Sequence, residues 1–277
     1  MTTSVAPALD WQTERFDLEG YLQRINQPAD PPSAAALHGL ARAHVLAIPF
    51  ENVEVVLGRH PGLAPEAITD KLVRRERGGY CFEHALLFAA GAQRLGYQVT
   101  RLISRVQPHK VGPRTHMTLL VRADGVDHLV DVGFGAGMIA PMPLRDGIEV
   151  DQAGWPHRLT RHAAAWADEW TLAKRTDDGW EPQHTFELAP QRPIDYEIAH
   201  HYVSTHPASP FTGQLVVFRL ADGISRRLVG NRLTVEHADG ATEHSTVAPE
   251  RVGDTLRELD VVLTDDELAG VLKCTVR

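Results

Sequence analysis

Residues 115–135 read THMTLLVRADGVDHLVDVGFG, and the reading of the chain turns on how this stretch pairs with itself. Two short runs rich in β-branched and apolar residues, Thr115 to Arg122 and Asp127 to Val132, flank the dipeptide Asp124-Gly125. That dipeptide tolerates the positive φ angles of a two-residue hairpin turn. If the turn forms, Ala123 pairs with Val126, His116 faces Gly133, and Asp131 is the diagonal neighbour of His116 on the same face. An imidazole and a carboxylate meet there. His128 falls on the opposite face with Met117, Leu119, Val121, Val130 and Val132, a set that reads as packed interior.

Around this hairpin lie further strands: Gln98 to Val106 before it, then Trp170 to Arg175 and Trp180 to Leu188, separated by the turn Asp177-Asp178-Gly179. Upstream the period changes. Leu18, Tyr21, Leu22 and Ile25 recur at helical spacing, and Ser33 is placed to cap a helix carrying Leu37, Leu40, Ala41 and Val45. Another helix starts near Pro65 and ends before Gly78, and one more runs from Cys81 to Leu95 with Gly96 to stop it. Downstream, a short helix over Ile194 to Tyr202 precedes strands at Gln214 to Leu220, Arg226 to Val229 and Arg232 to His237. Helices from Pro249 to Leu259 and from Thr264 close the chain. The expectation is an α+β protein in three segments, 1–95 helical, 96–203 of strands and 204–277 a mixed α/β lid. Those boundaries rest on the change of periodicity alone.

The 277 residues suffice for two or three units around sizeable cores. A net charge of −8 without a long Lys/Arg run argues against a nucleic-acid surface, which must displace counterions from phosphates. The longest apolar run, Ala85 to Ala92, is far short of the roughly 20 residues that span a bilayer. Met1 to Leu22 interleaves Asp10, Glu14, Arg15, Asp17 and Glu19 with its apolar residues, so no secretory signal is expected there. Only two cysteines occur, Cys81 and Cys274, in unlike contexts. They form no disulfide framework, and a reducing cytoplasm is the expected location.

Cys81 follows Arg77, Gly78, Gly79 and Tyr80 and opens an apolar helical run, which puts its thiol in a helical first turn, where N–H groups and the dipole favour an anion. The paired glycines permit a sharp entry into that helix and close approach of a substrate. The bland alternative is a glycine loop entering a buried helix. A nucleophilic thiolate needs a base, and His84, His109, His116 and His128 are the candidates. The hairpin puts His116 first, with Asp131 to set its tautomer. His84, three residues beyond Cys81 on the same helix, stays open as the second choice, although no acid is placed to orient it. Asp131 alone could be a strand-end turn residue. The glycines at 133, 135 and 137 permit a loop whose N–H groups face a phosphate. His200, His201 and His206 form the densest histidine group, but without cysteine or acidic ligand spacing they suggest no metal site.

Five motifs stand in order: IPFENV at Ile48 to Val53, RGGYCFEH at Arg77 to His84, GPRTHM at Gly112 to Met117, VDVGFG at Val130 to Gly135, and HYVSTHPASPF at His201 to Phe211. In them the chain resembles an arylamine N-acetyltransferase of the bacterial type. The resemblance implies a helical bundle, a β-barrel and an α/β lid around a cysteine-protease-like core, with a triad falling on Cys81, His116 and Asp131. It implies acetyl-CoA as co-substrate, no metal, and ping-pong transfer through an acetyl-cysteine to an arylamine or arylhydrazine, with O-acetylation of N-hydroxyarylamines a related activity. Phe50, Phe82, Phe134 and Phe211 match positions lining the family's acceptor pocket, although aromatics more often pack a core. Thr115, Gly133 and Ser209 are candidates for the path of CoA. Glu51 and Arg77 are similar to an ion pair bracing the loop before the cysteine. The chain departs from the family in having Ala85 where Asn is frequent.

Three rivals accompany this reading. An amide synthase closing a macrolactam from a carrier-bound polyketide shares the triad and fold. A hydrolase with the same Cys, His, Asp order lacks support from any protease-type cysteine signature. A binding protein with a dead site is disfavoured by the intact triad residues. The physiological amine, the acyl-chain preference and whether the chain forms a homo-oligomer are not legible in these motifs.

Overall fold

The computed structural model describes residues 10–135, 137–163 and 167–275; residues 1–9 of the N-terminal stretch and Ala136 of the glycine-rich run lie outside the described residues. Helix α1 (Leu18–Arg24) is capped by Asp17, whose carboxylate accepts from Gly20 N at 2.9 Å. Ser33 caps α2 (Ala34–Ala47), accepting from Ala36 N at 3.1 Å. The chain then lays down a two-residue strand, β1 (Phe50–Glu51), and a short helix, α3 (Val53–Val56). The helix begun by Pro65, α4 (Pro65–Thr69), is shorter than expected. Asp70–Arg74 widen into a π-helical turn that carries Lys71 under Glu83, with Nζ 2.9 and 3.1 Å from its two oxygens. Helix α5 (Cys81–Arg94) is buried along nearly its whole length and forms the spine of the largest apolar core.

Eight antiparallel strands follow: β2 (Gln98–Val106), β3 (His116–Ala123), β4 (Val126–Val130), β5 (Met142–Pro143), β6 (Glu149–Asp151), β7 (Pro156–His162), β8 (Glu169–Thr176) and β9 (Gly179–Phe186). Their order in the sheet is β5-β4-β3-β2-β9-β8-β7-β6. Leu129 and Met142 from one end of that order and Leu159 and Leu172 from the other belong to one apolar cluster, so the sheet rolls around its own interior. Gln152 nearly closes the roll: its Oε1 accepts from Ile139 N and Ala140 N, and its Nε2 donates to Ala140 O. The β3–β4 turn has the expected form, with φ of +48° at Asp124 and +77° at Gly125 and Ala123 opposite Val126. Met117, Leu119, Val121 and Val130 face α5 and the helical core, while Leu120 and Leu129 face the barrel interior. Strands β5, β6 and β7 carry too little alternation to stand out in the sequence.

Helix α6 (Pro193–Thr205) leads to β10 (Val216–Ala221), β11 (Ile224–Val229), β12 (Arg232–His237) and β13 (Thr242–Thr246), then α7 (Val252–Glu258) and α8 (Asp265–Thr275). The second sheet runs β1-β10-β11-β12-β13. Its edge strand β1 therefore comes from the N-terminal third, with Phe50 opposite Phe218 and Glu51 opposite Val217. Among the described residues, no helix is long and apolar enough to cross a membrane.

Candidate active site

Cys81 is the first residue of α5, and the loop before it is fixed by close packing. A Cβ on Gly78 would lie 2.2 Å from the carbonyl oxygen of Pro49, and one on Gly79 would lie 2.7 Å from Glu83 Oε2. Neither glycine has a positive φ. Their small size therefore serves approach of the protein's own chain, where the sequence suggested a sharp turn and a substrate. Glu83 reaches back to accept from Tyr80 N at 3.1 Å, which caps α5. Phe50 pairs with Gly79 in a parallel bridge, and Glu51 N donates to Gly79 O at 2.8 Å. Arg77 spans from Glu51 Oε1 at 3.1 Å to Glu267 Oε1 of α8 at 3.3 Å, tying the loop to the C-terminal helix.

The hairpin delivers the expected contact: His116 Nε2 lies 2.8 Å from Asp131 Oδ2, both side chains buried. The other ring nitrogen, Nδ1, is left for Cys81, whose sulfur favours the charged form of His116. Burial disfavours the imidazolium, but the Asp131 carboxylate and then the Cys81 sulfur outweigh it, and His116 is pushed up to about 10. Burial likewise opposes charge on Asp131, yet His116 and His184 hold it well below the usual carboxylate range. The Cys81 thiol points at Thr115 O, 3.8 Å away.

His84 is excluded as the base by its own hydrogen bonds. Its Nε2 lies 3.1 Å from Gly79 O and 3.2 Å from Pro49 O, so that nitrogen carries the proton. Its Nδ1 then accepts from His44 Nε2 at 2.9 Å, and His44 Nδ1 accepts from Tyr21 Oη at 2.8 Å. Burial lowers His84 to about 4 and His44 well below the usual value, so both rings stay neutral. No ring nitrogen of His84 remains for a thiol. His128 sits on the opposite face of the hairpin from His116, with its Nδ1 turned to Val126 O.

A cleft of about 380 Å³ opens onto Cys81 and His116. Phe50, Phe134 and Phe211 are on its wall, and so are Thr115, Gly133 and Ser209. The Ser209 hydroxyl is already engaged, accepting from Phe211 N and donating to Val203 O. Phe82 is not on this wall. It is fully buried in the helical core, where Tyr80, Tyr196 and His200 surround its ring. Phe218, which the motifs did not single out, takes a place on the wall and stacks on Phe50 at 5.2 Å. A larger cavity of about 580 Å³ lies on the other side, between Trp11, Leu86 and α6, away from Cys81 and His116.

His184 is the residue most conspicuously missed by the sequence reading. It is buried on β9 with Nε2 2.9 Å from Asp131 Oδ2. The available signal was a histidine two positions from Phe186 in an expected strand, hence on the same inward face. His116, Asp131 and His184 are close enough together to raise the question of a metal ion. Ligands sharing a tetrahedral zinc at about 2 Å are held roughly 3.3 Å apart. Separations of 2.8 and 2.9 Å are too short for that, and the 2.8 Å contact of His116 with Asp131 is a hydrogen bond between imidazole and carboxylate.

Residues 33–267 match the model of a family described as N-acetyltransferase. The arylamine N-acetyltransferase of Mycolicibacterium smegmatis is 41% identical over 239 residues, covering 83% of this chain and 85% of that protein. The structure of the arylamine N-acetyltransferase from Mycobacterium abscessus superposes with a TM-score of 0.92 at 34% identity, covering 99% of this chain and 100% of that one. A Mycobacterium marinum arylamine N-acetyltransferase solved in complex with CoA superposes with a TM-score of 0.85 at 35% identity, over 93% of this chain and 99% of that one.

Proposed function

Given that the chain belongs to the arylamine N-acetyltransferase family and is an acyltransferase with acetyl-CoA as co-substrate, we propose that it acetylates arylamines and arylhydrazines by ping-pong transfer through Cys81. The observation that carries this reading is that Cys81 and His116 face one cleft, with Asp131 bonded behind His116, and that Phe50, Phe134, Phe211 and Phe218 stand on the same wall.

In the first half-reaction the Cys81 thiolate attacks the thioester carbonyl of acetyl-CoA. The carbon–sulfur bond to CoA breaks, and the departing sulfur takes the proton held on His116 Nδ1. Asp131 stabilises the imidazolium and keeps Nε2 as its own partner, so Nδ1 is the nitrogen that exchanges protons with the substrates. In the second half the amine nitrogen attacks the acetyl-Cys81 carbonyl, His116 removes its proton, and the Cys81 thiolate leaves. The flat apolar faces of Phe50, Phe134, Phe211 and Phe218 suit an arene ring. An N-hydroxyarylamine would present oxygen in place of nitrogen to the same acyl group, giving O-acetylation. Thr115 and Gly133 lie beside the thiol on the route that the CoA arm would take. We also read the chain as three functional segments, 1–95, 96–203 and 204–277, and as a cytoplasmic protein, since both of its cysteines are free.

The test is an intact-mass spectrum of the protein mixed with acetyl-CoA and no amine, with Cys81→Ala as control. A gain of one acetyl group on the wild type alone is the expected result. No gain in folded protein with a reduced thiol would refute acetyl-CoA loading and turn attention to an amide synthase with a carrier-bound acyl donor.

A further inference from the structure

The reaction employs one imidazole against Asp131, yet a second lies within contact of the same carboxylate. His116 Nε2 at 2.8 Å and His184 Nε2 at 2.9 Å approach the same oxygen, Oδ2. His184 comes from β9, distant in sequence from the β3–β4 hairpin, and two features aim it there. Strand β9 falls out of step with β8 just before it: Leu172 faces His184 while Ala173 faces Pro182, leaving Gln183 as an extra residue. A bulge of this kind bends a strand and re-aims the adjacent side chain. Phe134 then packs T-shaped against both imidazoles, 5.1 Å from His116 and 5.3 Å from His184.

The protonation state of His184 follows from its surroundings. Burial lowers its pKa in spite of Asp131, so the ring is neutral, with one N–H and one bare nitrogen. A lone pair held 2.9 Å from a carboxylate oxygen would be repelled, which puts the proton on Nε2. At 2.9 Å the two atoms touch, but the N–H direction lies too far off Oδ2 for a formed hydrogen bond, so a turn of the His184 ring has to complete it. Asp131 Oδ1 has no hydrogen-bond partner among the described residues. With both imidazoles against Oδ2, a turn of the carboxylate about its Cβ–Cγ bond to offer Oδ1 would give up both contacts.

We infer that His184 is a positioning residue for Asp131: a neutral Nε2–H donor that locks the carboxylate in the rotamer facing His116. The inference rests on the assignment of Cys81, His116 and Asp131 as the reacting set. It is tested first by nitrogen-edited NMR of the histidine side chains in the resting wild type, which reads the tautomer directly. His184 is expected to be neutral with its proton on Nε2; a proton on Nδ1, or a charged ring, would overturn the inference. The second arm is steady-state kinetics of His184→Phe, which keeps a ring but no donor, and His184→Gln, which keeps an N–H at similar reach. Loss of one hydrogen bond to a charged group predicts a kcat about tenfold lower in His184→Phe, with KM for acetyl-CoA within about twofold and His184→Gln largely restored. A folded His184→Phe with wild-type kcat would refute the role. Should His184→Phe fail to fold, His184→Asn, too short to reach Oδ2, replaces it with the same expected loss. Failure of acetyl-CoA to load Cys81 would sink the proposed function and leave the tautomer result standing, so the two failures are distinguishable.

Discussion

Replacing Gly133 by alanine probes how tightly the loop after Asp131 is held against the nucleophile. A Cβ built at Gly133 lies 2.8 Å from both Cα and the carbonyl oxygen of Cys81. Ordinary contact begins near 3.4 Å, so the two backbones must separate by 3.4 − 2.8 = 0.6 Å. Neither partner is the free end of a flexible side chain. One is the first turn of α5 and the other is the loop that leaves β4 through Asp131. Overpacking of this kind costs about 1 to 3 kcal/mol of stability. A displacement of about 1 Å at a reacting group costs about a hundredfold in rate, so 0.6 Å between thiol and base predicts an acylation rate down roughly ten- to a hundredfold. The assay is time-resolved intact mass of Cys81 acetylation, run with acetyl-CoA and with 4-nitrophenyl acetate, alongside urea unfolding. Both acyl donors should slow together. If only acetyl-CoA slowed, through a higher KM, Gly133 would be serving CoA directly and the steric reasoning would be wrong. Gly112→Ala, where a Cβ meets nothing within 4 Å, is the control expected to behave as wild type, and a Gly133→Ala protein matching it in rate and stability would refute the argument outright.

Asp131→Asn removes the charge that supports the imidazolium. Its rate should fall about a thousandfold or more, the scale of a mis-set triad; a rate near wild type would remove Asp131 from the mechanism. In the wild type, His116 rises to about 10. Its contribution to stability is therefore complete below the unfolded value of about 6.5 and lost as pH rises through about 10. The Asp131 contribution, with a depressed pKa, is complete above about 3.9 and lost only as strongly acidic solution protonates the folded carboxylate. Urea unfolding across pH should accordingly show the wild type losing stability as pH rises towards about 10, with a smaller loss in Asp131→Asn; coincident profiles would contradict this. Lys71→Met strands Glu83, buried and bonded to both Lys71 and the α5 cap, and should cost roughly 3 to 5 kcal/mol in urea unfolding. An unchanged midpoint would show that His60, 3.4 Å from Glu83, suffices as its partner.

The sequence by itself determined what depends on near neighbours along the chain. Asp124-Gly125 imposes a two-residue turn, and a period of two then puts His116 and Asp131 on one face with no knowledge of the rest of the molecule. Ser33, Asp17 and Gly96 mark helix ends for equally local reasons. Motif order was enough to recognise the family. Tertiary structure alone decided the contacts between residues far apart in the chain. His184 reaches Asp131 because β9 pairs with β2 and bulges beside β8, and no local period encodes either event. Phe50 joins the lid sheet through Phe218, across more than half the chain. Phe82 turns into the core because it lies about 100° around α5 from its neighbour Cys81, which meets the cleft. The glycines before Cys81 are needed for packing against Pro49 and Glu83, which a reading of turn propensity does not reveal. Local backbone preference sets each element and its faces; which faces meet is settled only when burial selects among the possible pairings of the whole chain.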